Sequence, residues 1–228
     1  MSQVKFKYQD ETQVYKPLLD AVNQVCIDYS KDCTCTSGSR TIDKQKIINK
    51  QVLQEHAGAY QLPNGAVYTP DGKCWASAYG KSNHFFCIAL DIADQWFKNL
   101  TNAQLKKYGL IKPMSHEPWH VQLLEHQGIA QTQKEAIRDR VLKKVELTKQ
   151  FQTMTDLTAD GIAGPITKAK AKEMLQTCQQ ILGLDFQTAE ETIVACMTKP
   201  KLWLAALKTI PYFGSFVMNI VEKMGGRR

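Results

Sequence analysis

Two imidazoles and two carboxylates fall in two short stretches of this chain: Ser82-Asn83-His84 running on to Asp91, and Glu117-Pro118-Trp119-His120. A hydrolytic zinc ion takes such ligands, usually three from the protein, and keeps a fourth position for a water that it acidifies. A carboxylate that does not bind the metal must then accept that water's proton. Here His84, Asp91 and His120 would be the ligands and Glu117 the base. The chain has five histidines, so a pair of them says little, and the spacing has to carry the reading.

Asp91 lies among Ile88, Ala89, Leu90, Ile92 and Ala93, a run that reads as a turn feeding a buried strand. A lone carboxylate there is costly unless it meets a metal or a cation. Either Asp91 has such a partner, or it caps a helix that begins near Asp94. Glu117 and His120 would share one face of a helical turn but lie on opposite faces of a strand. Pro118 disfavours a regular central strand, so a turn is expected to aim both side chains into one pocket.

The first motif, Ser37-Gly38-Ser39-Arg40-Thr41, stands upstream of Ser-x-His with Asp seven residues beyond the His, and Glu-x-Trp-His follows. Together and in this order the three resemble the zinc D-alanyl-D-alanine peptidases. That group includes the vancomycin-resistance dipeptidases and carboxypeptidases and the L-alanyl-D-glutamate endopeptidases of phage endolysins. The resemblance reaches from the segment before Ser37 to about Gly128. It implies Zn2+ on His84, Asp91 and His120, Glu117 as catalytic base, and Arg40 as the cation that stabilises the transition state. An arginine is always charged, which suits negative charge growing on an attacked carbonyl oxygen, although a structural ion pair is the more ordinary use of a lone arginine. Ser82 could bind substrate or orient His84. The chain departs from the family twice: Cys87 stands where a glycine is usual three residues after the first ligand, and Ser39 where an aromatic is usual. A cysteine does not easily take positive φ, so the backbone or the cleft is expected to differ there.

The elements that must position these residues are readable in outline. Val14, Leu18, Val22, Val25 and Cys26 mark one face of a helix from about Glu11 to Tyr29. A strand then leads into the Ser37 motif, and alternation in it accounts for Cys33 and Cys35 as well as a metal reading does. A second helix is expected from Gln45 to Gln54, turns at Leu62–Gly65 and Thr69–Gly72, and helices over Asp94–Leu100 and Thr101–Tyr108, the last capped by Thr101 and stopped by Gly109. This half is predicted to be α+β, a small antiparallel sheet with flanking helices spanning 1–132. The rings of Tyr68, Trp75, Tyr79, Phe85, Phe86 and Trp119 surround the site in sequence; most should be core, and one or two could wall a cleft.

From Gln133 the pattern changes. Ile137, Val141 and Val145 recur at four-residue spacing, and then Asp160-Gly161-Ile162-Ala163-Gly164-Pro165 precedes an alanine- and lysine-rich helix from Lys168 to Gln180. The stretch resembles the three-helix peptidoglycan-binding domain of wall hydrolases, signature Asp-Gly-x-x-Gly-x-x-Thr, over 133–184; by itself it could be a plain helix-turn-helix linker. An all-α second domain is expected, with a helical extension over 185–228 packed on it. Residues Leu202 to Val221 are mostly apolar but carry Lys208 and Pro211, which argues against a span and for a helical hairpin, or a basic segment in weak membrane contact.

The chain has 228 residues and a net charge of +7. From Lys134 onward it carries 15 basic and 10 acidic residues, net +5, which suits a polyanionic wall. No nucleic-acid-binding module is recognisable. No secretory leader is visible, and seven cysteines without pairing logic read as reduced thiols. The reading is a monomeric phage-type endolysin held in the host cytoplasm until lysis, which then cuts the stem peptide of peptidoglycan. The competing readings are a D-Ala-D-Ala carboxypeptidase or dipeptidase of wall metabolism, and a wall-binding zinc protein without catalysis.

Overall fold

The structure, a computed structural model, describes residues 3–8 and 12–182. The chain divides into two compact units, Met1–Leu142 and Lys143–Arg228.

In the first unit β1 (Val4–Phe6) leads to α1 (Lys16–Asp28), which buries Leu18, Val22, Val25 and Cys26. The helix opens at Lys16, later than its apolar stripe suggests, with Pro17 in its first turn, where proline has no N–H to lose. Strand β2 (Cys33–Ser37) follows, then α2 (Ile42–Glu55), whose Thr41 cap accepts a hydrogen bond from the Lys44 N–H. Strands β3 (Tyr60–Gln61), β4 (Val67–Tyr68) and β5 (Cys74–Ala76) form a small antiparallel sheet of their own. After β6 (Ala89–Ile92) come the short helices α3 (Gln95–Lys98) and α4 (Asn102–Lys106), then β7 (Leu110–Ile111) and β8 (His120–Leu123). Thr101 and Gln104 close α4 with a reciprocal capping box, and Gly109 beyond it takes φ +69°.

The main sheet has the order β1-β2-β6-β8-β7. It is mixed rather than antiparallel, a correction to the expectation, because α1 carries the chain across so that β1 and β2 run parallel. Its core face presents Cys33, Cys35, Leu90, Ile92, Val121 and Leu123 to α1. Cys33 and Cys35 are therefore core side chains, placed there by strand alternation, with Thr34 exposed between them. The alternate residues of β6 and β8, Asp91, His120 and Gln122, face the other way. All-core packing on one face frees the opposite face for chemistry.

In the second unit the end of α5 (Gln131–Met154) is joined to α6 (Pro165–Leu182) by the Asp160–Gly164 turn. Gln152 holds that turn: its Nε2 donates to Asp160 Oδ1 at 2.7 Å and Ile162 O at 3.0 Å, and its Oε1 accepts from the Gly161 N–H at 2.8 Å. Gly161 sits at φ +77°, where a Cβ would come within 2.7 Å of Val145 Cγ1. Both glycine properties, positive φ and the missing side chain, are used there. The expected extension over 185–228, with its apolar tail, and the last residues of the expected 133–184 domain lie outside the described residues. Among the described residues no helix is long and apolar enough to cross a membrane.

Candidate metal centre and its cleft

Strand register does most of the assembly. Asp91 on β6 is paired across the sheet with His120 on β8 and, on its other side, with Ser37 at the end of β2. A shift in register between Cys35 and Ser37 brings Ser37 opposite Asp91, the kind of re-aiming that a bulge provides. Asp91 is thus a strand residue and caps no helix; Asp94 occupies the cap position of α3. The other imidazole comes from the loop between β5 and β6. Its His84 N–H donates to Ser82 Oγ at 3.2 Å, and its carbonyl accepts from the Arg40 and Cys87 N–H groups at 3.1 and 3.0 Å. Ser82 is buried and in the cleft, and its hydroxyl contacts the loop that holds the ligand.

Three ligand atoms converge. His120 Nδ1 lies 3.0 Å from Asp91 Oδ1, His84 Nε2 lies 3.2 Å from the same oxygen, and the two nitrogens are 3.2 Å apart. His84 Nδ1 is 2.8 Å from Gly38 O, which accepts only, so that nitrogen carries the proton and Nε2 presents a lone pair. A carboxylate oxygen and a bare imidazole nitrogen at 3.2 Å repel unless a cation or a proton lies between them. Atoms held about 2.0–2.1 Å from a tetrahedral zinc lie roughly 3.3 Å from one another, so the donor set and its spacing fit a zinc ion. Among the described residues this is the one group of three or more such side chains able to hold a metal.

Burial works against the Asp91 carboxylate, but the facing His84 and His120 outweigh it and hold the group well below the usual carboxylate range. Burial likewise pushes the His84 imidazole down, towards the neutral form that a metal needs. Glu117 sits in the turn before β8, where its carbonyl accepts the His120 N–H at 3.0 Å. Its Oε2 is 4.0 Å from His120 Nδ1 and its Oε1 3.9 Å from His116 Nε2. Burial raises the Glu117 carboxyl, which makes it a better proton acceptor than an ordinary glutamate.

Arg40, with its side chain only 9% exposed, is 3.7 Å from Asp91 Oδ2. Its NH2 donates to Ser37 Oγ at 2.8 Å and its NH1 to Gln45 Oε1 at 3.0 Å. Gln45 in turn donates to Asn49 Oδ1, and Asn49 Nδ2 donates to the carbonyls of Gly65 and Ser77 at 2.6 and 3.0 Å. The buried side of α2 is therefore polar, and it ties the arginine to the small sheet. Neither Gln45 nor Asn49 belongs to a motif; their four-residue spacing behind Arg40 is the one sign of them in the sequence.

These groups line a cleft of about 680 Å³. Trp75 and Trp119 wall it, and the Trp75 ring meets those of His56 and His116 with centroids 4.2 and 5.1 Å away. Phe86 is instead fully buried, and Phe85 lies under Arg138 at 4.2 Å. The loop departs from the expected behaviour of Cys87: the residue takes φ +63°, the conformation a glycine would supply, and is buried. Its carbonyl accepts the Tyr15 N–H at 2.8 Å, and these tertiary bonds hold a backbone that local preference disfavours. The cleft also contains Asn83, Gln122, His126 and Lys134, none of which the sequence singled out.

No family model matches this chain, and no curated protein matches it.

Proposed function

We propose that the chain is a zinc-dependent peptidase that hydrolyses a peptide bond in the stem peptide of bacterial peptidoglycan, acting as a phage-type endolysin. The observation that carries this reading is the convergence of His84, Asp91 and His120 within 3.0–3.2 Å of one another, with Glu117 and Arg40 on the same cleft. When bound, zinc would supply a Lewis acid that brings the pKa of a coordinated water from 15.7 towards about 7. Glu117 takes the proton of the attacking water and returns it to the departing amine, a role suited by its largely buried position 4.0 Å from a ligand nitrogen. Arg40, fixed by Ser37 and Gln45, places a permanent cation beside the centre, where charge on an attacked carbonyl oxygen would develop. The motif resemblance given by Ser37–Thr41, Ser82–Asp91 and Glu117–His120 directs the chemistry to wall peptides. The Asp160–Gly164 turn supports an all-α wall-binding domain following the peptidase in the chain, and the net charge of +5 from Lys134 onward would attract the polyanion.

Digestion of purified peptidoglycan with the full chain, followed by mass spectrometry of the fragments, tests the reading and identifies the bond, whether L-Ala–D-Glu or a D,D-linkage. Elemental analysis identifies the metal. Glu117→Ala should retain that metal and lose nearly all activity; a variant that lyses walls like the parent overturns the mechanism.

A further inference from the structure

We infer that the cleft carries a carboxylate-recognising subsite, built from Lys134 and the Asn83–Gln122 pair, that reads an acid group of the substrate about one residue from the scissile bond. It rests on the peptidase reading and specifies which feature of the stem peptide that site selects.

Gln122 is two residues after the ligand His120 on β8, so both side chains stand on the same face of the strand, about 6.6–6.8 Å apart along it. Asn83 precedes the other ligand, His84, directly. From the first turn of α5, Lys134 Nζ donates to Asn83 Oδ1 at 2.9 Å, and Asn83 Nδ2 donates to Gln122 Oε1 at 2.6 Å. A lysine can only donate, so it fixes both amides: Asn83 must turn its oxygen to Lys134, and Gln122 its oxygen to Asn83. Each amide oxygen keeps a second lone pair, but the run also has unused donors to offer. Lys134 has two further N–H groups, and Gln122 Nε2 makes no hydrogen bond among the described residues. Donors from an ammonium and an amide match the two oxygens of a carboxylate.

The Lys134 ammonium lies 6.0 Å from the Phe86 ring centroid, and no carboxylate answers it among the described residues. Burial pushes it below the ordinary lysine value. Nearby His126 is buried and burial pushes it down as well, so it adds no cation; its Nδ1 has no hydrogen-bond partner among the described residues. A partly desolvated cation beside a reaction centre is a cost that an anionic ligand offsets. In a stem peptide the acid can be the free α-carboxylate of a γ-linked D-glutamate or the C-terminal carboxylate.

The test uses the full-length Glu117→Ala protein, loaded with zinc, and titration calorimetry with three synthetic stem tetrapeptides. One has both acids free, one carries an α-carboxamide on its D-glutamate, and one a C-terminal amide. One of the amidated peptides should bind about 10- to 100-fold more weakly than the acid, which also says which carboxylate is read. Adding Lys134→Met should bring that ratio to about one with zinc content unchanged, and Lys134→Arg should keep part of it. Lys134→Gln serves if the methionine variant does not fold. Equal binding of all three peptides, no binding of any, or a preference that survives loss of the lysine overturns the subsite. Failure of the peptidase reading shows elsewhere, as wild-type protein that leaves purified peptidoglycan intact.

Discussion

Gln45→Ala isolates the support of Arg40 from the metal ligands themselves. The substitution deletes the acceptor of an Arg40 NH1 hydrogen bond at 3.0 Å and the donor that faces Asn49 Oδ1. The first is charge-assisted and contributes about 1.5–3 kcal/mol, the second about 0.5–1.5, so a loss of roughly 3 kcal/mol is expected. For a unit of this size that is a fall in Tm of about 10 °C, measurable by urea or thermal unfolding. Zinc content should not change, since Gln45 touches no ligand atom. On wall peptides kcat should fall about 10- to 100-fold with a smaller change in KM, because loosening the cation costs more transition-state stabilisation than ground-state binding. Gln45→Glu separates the two effects. It keeps an acceptor for Arg40 but sets an oxygen against Asn49 Oδ1, which cannot turn away because Asn49 Nδ2 is committed to the Gly65 and Ser77 carbonyls. It should therefore regain kcat while staying unstable. A Gln45→Ala protein that melts and turns over like the parent refutes the relay from α2 to the arginine.

Two other outcomes follow from the same geometry. Removing the metal with a chelator should lower Tm, by about 4 kcal/mol of stability if zinc was present at a thousandfold over its Kd, and zinc should restore it; His120→Ala should abolish that response, and an unchanged Tm on chelation would contradict a resident ion. In the second unit, Gly161→Ala should lower stability by about 1–3 kcal/mol, because the new methyl meets Val145 at 2.7 Å in a backbone at φ +77°; equal melting curves for parent and variant would show that the turn is not held as described.

The residues of the candidate metal group were legible because their types are scarce and their spacings short. His84, Asp91, Glu117 and His120 announce themselves, since few other uses put two imidazoles and two carboxylates among apolar neighbours. The helices were legible in the same way, through apolar stripes such as Leu18, Val22 and Val25, though their ends shifted to where Pro17 and Thr41 place them. The supporting amides were not legible. Gln45, Asn49, Asn83 and Gln122 are ordinary surface residues by type, and what the last three do depends on partners that topology brings from 16 to 51 positions away. The parallel pairing of β1 was hidden for the same reason: a three-residue strand carries no sign of the direction of its neighbour.

Cys87 shows where local reasoning reverses. By propensity a cysteine should have moved the loop out of the left-handed region, since positive φ costs a side-chain-bearing residue about 1–2 kcal/mol. The loop keeps φ +63° all the same. Its N–H is bound to His84 O, its carbonyl to the Tyr15 N–H, and its side chain is buried, so leaving that conformation would break two hydrogen bonds and expose apolar surface. Each bond contributes about 1 kcal/mol, which together match the strain, and burial of the side chain tips the balance. The loop that presents His84 is thus fixed from outside, by α1 on one side and by the Arg40 N–H on the other. That places the first ligand under the control of contacts no motif contains, and it explains why a non-glycine residue is compatible with the same three-atom convergence.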